Sequence, residues 1–102
     1  MKKMFSNDQL THIRTQALIY QCACPAQVCV AIDTIRNLYE HQLGCLDATD
    51  TDKAVHTRIK ESAELTHANL EQCLTDVLKL EGWEMETLEM PAFLQKRLLD
   101  EP

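Results

Sequence analysis

Three thiols stand close together early in the chain: Cys22, Cys24 and Cys29, with Pro25 set among them. Three soft thiolates suit zinc, copper(I) or an iron–sulfur cluster, and Cys73, Cys45 or a histidine could complete the ligand set. The spacing Cys-x-Cys-x4-Cys is neither the paired Cys-x2-Cys of zinc sites nor a ferredoxin pattern. The bland alternative is that these cysteines are small core side chains, since free cysteine is among the most buried residue types. In one continuous helix, Cys22 and Cys29 share a face and Cys24 is turned roughly 200° from Cys22, so the three cannot meet. A break at Pro25 would let them converge. Cys24 would then be the N-cap of the second helix, where the helix dipole favours a thiolate, with Cys22 as the resolving thiol of a strained, oxidising disulfide.

A second constellation is Glu64-Leu-Thr-His67. A carboxylate and an imidazole three residues apart lie on one helical face, as di-iron carboxylate bundles require, although those sites need two such motifs and two more glutamates. Dimerisation would double the motif, and Glu40 or Asp33 could add a carboxylate. Glu–His pairs are also common on solvated helix faces. His12 and His41 fall on or near polar faces and His56 lies in the first turns of the third helix, and each is expected at the surface. Two isolated glycines cannot build a phosphate loop, and the two serines, Ser6 and Ser62, sit in no nucleophile-elbow pattern. Hydrolytic and nucleotide-dependent chemistry is therefore not indicated.

Only helices are available to position these groups. Ser6 with Gln9 forms a capping box, and Phe5 with Leu10 a hydrophobic staple, which predicts a first helix over residues 7–22. Pro25 is tolerated at the first position of a helix and not in its interior, so a second helix is expected over 25–43, one kinked helix from Asn7 to Leu43 being the alternative. Its buried stripe is expected to be Val28, Ile32, Ile35 and Tyr39, with Asp33, Arg36, Asn37 and Glu40 facing water and Gly44 as a left-handed stop.

The third helix, over 51–81, has no breaker before Gly82. Its expected core positions are Val55, Ile59, Ala63, Leu70, Cys73, Val77 and Leu80. Neither earlier helix can cover its length alone, so it either carries both end to end or overhangs. Trp83, Met85, Leu88 and Met90 are expected to cap one end of the bundle, ahead of a short helix over 91–100 that Pro91 can start.

The composition sets the class. The chain has 102 residues, 45% of them hydrophobic, which makes one domain with one core. The net charge is −6, and thirteen of the sixteen acidic residues lie beyond residue 45. Such a surface repels phosphate, so nucleic acid is not an expected partner. No apolar run approaches the ~20 residues that cross a bilayer, and the basic opening is followed by Ser-Asn-Asp-Gln rather than an apolar segment. Five cysteines cannot all pair within one chain, which with the foregoing suggests reduced thiols and a cytoplasmic location.

These features predict an all-α domain: a small antiparallel bundle of three main helices and a short C-terminal one, completed by dimerisation. The expected function is that of an interaction or assembly module without catalysis. A thiolate metal or redox module on Cys22, Cys24 and Cys29 is the alternative, and a dimeric di-metal site on Glu64 and His67 a further one.

Overall fold

The computed structural model describes residues 1–20 and 23–95. Its helices are α1 (Asn7–Ile19), α2 (Ala23–Gly44) and α3 (Asp50–Glu81), and residues 92–95 are also helical. The predicted span 96–100 of the terminal helix lies outside the described residues.

The start of α1 follows from its sequence. Gln9 N–H donates to Ser6 Oγ at 3.0 Å and Ser6 N–H donates to Gln9 Oε1 at 2.8 Å, so the capping box is closed in both directions. Phe5 and Leu10, the staple pair, are both buried. The helix ends with Tyr20 as its C-cap, earlier than the predicted residue 22.

The second helix departs further from expectation. As described it runs from Ala23, so Cys24 is a helical residue rather than its N-cap, and Pro25 is buried within the helix. Gly44 is not a left-handed stop. Among the described glycines only Gly82 has a positive φ. Instead, Cys45 N–H reaches the Gln42 carbonyl at 3.4 Å and the Cys45 thiol donates to the His41 carbonyl at 3.2 Å. The last turn of α2 thus has partners without a left-handed residue.

Thr49 caps α3 by accepting from Asp52 N–H at 3.0 Å. At the other end Gly82 is left-handed (φ 82°), and Gly82 and Trp83 donate to the Lys79 and Leu78 carbonyls at 3.1 and 2.9 Å. This Schellman closure brings Trp83 back over Leu78, and both are buried. The chain then turns tightly, with Leu88 N–H donating to the Glu84 carbonyl at 2.7 Å, and Leu88 itself adopts a left-handed φ of 58°. Burial of the Leu88 side chain, which joins Met90 and Leu94 in the core, offsets a backbone cost of about 1–2 kcal/mol. Met90 N–H donates to Gln16 Oε1 at 3.3 Å, and Glu89 stands 3.2 Å from His12. The segment after α3 therefore closes over α1.

Arg14 pairs with Asp33 at 3.3 Å and Asn7 with Arg36 at 2.6 Å, so α1 and α2 run antiparallel. The short segment 45–49 makes α3 antiparallel to α2 in turn. The pairing of α2 with α3 is strongly offset. Arg36, near the end of α2, faces His67 and Glu71, deep in α3. Counting back along the two helices, about ten residues at the start of α3, roughly 15 Å, project beyond the end of α2. The resulting molecule is elongated, 59 × 22 × 18 Å. Segment 45–49 flanks the projection, with Asp47 Oδ1 2.6 Å from His56 Nδ1.

The core departs from the predicted stripes. From α3 it takes Ala63, His67, Glu71, Leu74, Thr75 and Leu78, whereas the expected Val55, Cys73 and Leu80 are exposed and Ile59, Leu70 and Val77 half-buried. In α2 the expected surface residue Arg36 is buried. The inward face of α3 carries two ionisable groups in its middle, which hydropathy alone places outside.

Candidate functional site

The sequence-predicted thiols do not form a described cluster. Cys24 is exposed and Cys29 fully buried, Cys73 is exposed on α3, and Cys22 lies outside the described residues. Burial, with Asp33 adding to it, pushes the Cys29 thiol up to about 12. A thiol in that state is protonated at neutral pH and packs as a small apolar group. Among the described residues no group of three or more His, Cys, Asp or Glu side chains could hold a metal ion.

Glu64 and His67 also part company. Glu64 is exposed and interacts with Tyr39, whose hydroxyl is shifted upward by desolvation, by the Glu64 charge and by a hydrogen bond to it. His67 is buried, and the carboxylate it meets is that of Glu71, one turn further along.

The polar constellation that the fold does assemble joins Arg36 of α2, His67 and Glu71 of α3, and the segment leading into α1. These three residues are 3%, 1% and 1% exposed. Arg36 Nε donates to His67 Nε2 at 3.0 Å, Nη1 to Asn7 Oδ1 at 2.6 Å, and Nη2 to the Phe5 carbonyl at 2.6 Å and to Glu71 Oε2 at 3.2 Å. Glu71 Oε2 also accepts from the backbone N–H groups of Met4 and Phe5, at 2.7 and 3.0 Å. Its other oxygen lies 3.4 Å from His67 Nδ1.

The donors dictate the state of the imidazole. Nε2 accepts from a guanidinium that has only protons to give, so Nε2 carries none and the ring is the neutral Nδ1–H form, directed at Glu71. Burial is the main influence lowering the His67 pKa, and Arg36, Lys3 and the Met1 amine lower it further against the opposing pull of Glu71. In this arrangement both ring nitrogens have partners within the protein. One guanidinium and one carboxylate balance each other, and their hydrogen bonds offset the desolvation of both. The constellation is thus an anchor that fastens the first residues of the chain onto α2 and α3.

Arg36, Glu71 and Asn7 were not singled out by sequence. The signal that was present is the run of three- and four-residue intervals through 63, 67, 71, 74 and 78. Among the described residues, no helix is long and apolar enough to cross a membrane. Compared with protein-family models, curated proteins and solved structures, the chain matches none.

Proposed function

We propose that the protein is a helical interaction module without catalysis of its own, and that it assembles as a homodimer through the projecting start of α3. The observation that carries this reading is the offset between α2 and α3, which among the described residues leaves one end of a 32-residue helix without a helix of its own chain beside it. A shallow groove on that end is lined by Asp50, Thr51, Ala54, Val55, Arg58 and Ile59. Val55 is 49% exposed there, and Leu46 in the flanking segment 87%. Acidic Asp50 and Asp52 precede basic Arg58 and Lys60 by two turns. An antiparallel second copy would set each pair against its opposite, with the small Ala54 near the crossing.

Sedimentation equilibrium over a wide concentration range tests the reading. The expected result is a monomer–dimer equilibrium that Ala54→Glu with Val55→Asp shifts to monomer while the helical circular dichroism is kept. A single monomeric mass up to millimolar protein would overturn self-assembly.

A further inference from the structure

The anchor described above has one acceptor that can be switched off without removing any atom. We propose that residues 1–6 are an acid-released strap, closed while His67 Nε2 accepts from Arg36 and opened when that nitrogen takes a proton.

The geometry makes the two events one. A proton on Nε2 would set an N–H against the Arg36 Nε–H at 3.0 Å, with one cation against another. Arg36 would have to withdraw, and its guanidinium is planar and rigid, so Nη1 and Nη2 move with Nε. Those two nitrogens hold Asn7 Oδ1 and the Phe5 carbonyl. The remaining bonds of the strap, from Met4 and Phe5 N–H, end on Glu71 Oε2, the oxygen that Arg36 Nη2 also binds.

The charges around His67 point the same way. From α2 it faces Arg36, from α3 Glu71, and from the strap Lys3 and the Met1 amine. Glu71 favours the proton and the other three oppose it. Opening the strap takes Lys3 away from the ring, so His67 binds a proton more tightly open than closed. By linkage, protonation then favours the open form. Acid below the range where histidine ordinarily titrates should free Phe5, which is buried in the closed state, while α2 and α3 stay paired through Ile32, Leu74 and Leu78.

Amide hydrogen exchange followed by NMR from pH 7.5 to 5.0, corrected for intrinsic rates, tests this alongside the ring nitrogen shifts of His67. The expected result is that protection at Met4 and Phe5 falls by up to tenfold per pH unit as His67 protonates, while protection at Leu74 and Leu78 is retained. His67→Gln, which keeps an acceptor oxygen but cannot titrate, should make strap protection independent of pH. Three results would overturn the proposal: a ring that stays neutral to pH 5.0, protonation with Met4 and Phe5 still protected, or loss of strap and core protection in step. These can be read from the unmodified protein even if the variant does not fold.

Discussion

The middle and the start of α3 invert the usual distribution of side chains. In its middle, the inward face holds His67 and Glu71 against Arg36 of α2 in near-complete burial, and at its start Val55 and the neighbouring Leu46 lie in solvent. The difference shows what burial selects for in a chain of this size. A charge is accepted inside where each donor meets an acceptor, as at the anchor. An apolar side chain stays outside where, among the described residues, no second element reaches it, as along the projection. Hydropathy is a fair guide to neither region, because it scores a residue without its partners.

The sharpest way to break the comparison is to unbalance the anchor. Glu71→Ala would leave the Arg36 guanidinium buried beside unpaired N–H groups of Met4 and Phe5, with an expected loss of about 3–5 kcal/mol in urea unfolding. Arg36→Met with Glu71→Leu should cost less than the two single changes summed, by about 1 kcal/mol or more, if the pair acts as one unit. Strict additivity would mean that the two groups contribute separately.

Acid probes the same region more gently. His67 has its folded pKa lowered below the ordinary 6.5, so the unfolded chain binds the proton more readily. The contribution is therefore fully present above about pH 6.5 and is lost as pH falls below it, by no more than about 1.4 kcal/mol per pH unit for one proton. Unfolding free energies measured from pH 7.5 to 5.0 should show this slope in the natural protein and lack it in His67→Gln.

Ser6→Ala acts at the end of the strap without touching its buried bonds. It removes one half of the capping box and should cost about 1 kcal/mol, read as a shift in the denaturation midpoint. At the start of α3, Val55→Asp should change monomer stability by less than about 0.5 kcal/mol, because that side chain packs against little in its own chain. A larger loss would mean that the start of α3 is supported within the monomer, and the contrast between the two regions would shrink.

How far each element was legible follows from how far away its cause lies. The capping box at Ser6 and Gln9 and the stop at Gly82 are set by residues within a few positions, and the structure has them as the pattern predicts. Pro25, expected as the first residue of its helix, has helical Ala23 and Cys24 ahead of it, because a following proline disfavours helical backbone without forbidding it. The cysteine reading was limited differently. Spacing describes what thiols could reach, and only packing placed Cys29 in the core and Cys24 outside.

The sequence alone thus determined the class, the helices and most of their ends, because capping, proline and glycine act locally on the backbone. The tertiary structure decided which face of α3 points inward, that Arg36 is buried, and how far α3 projects. Those outcomes depend on hydrogen bonds between residues as far apart as Met4 and Glu71, which hydropathy along one helix does not record. His67 and Glu71 lie on the true inward stripe, and their polarity hid it. What makes that stripe stable is a guanidinium supplied by another helix.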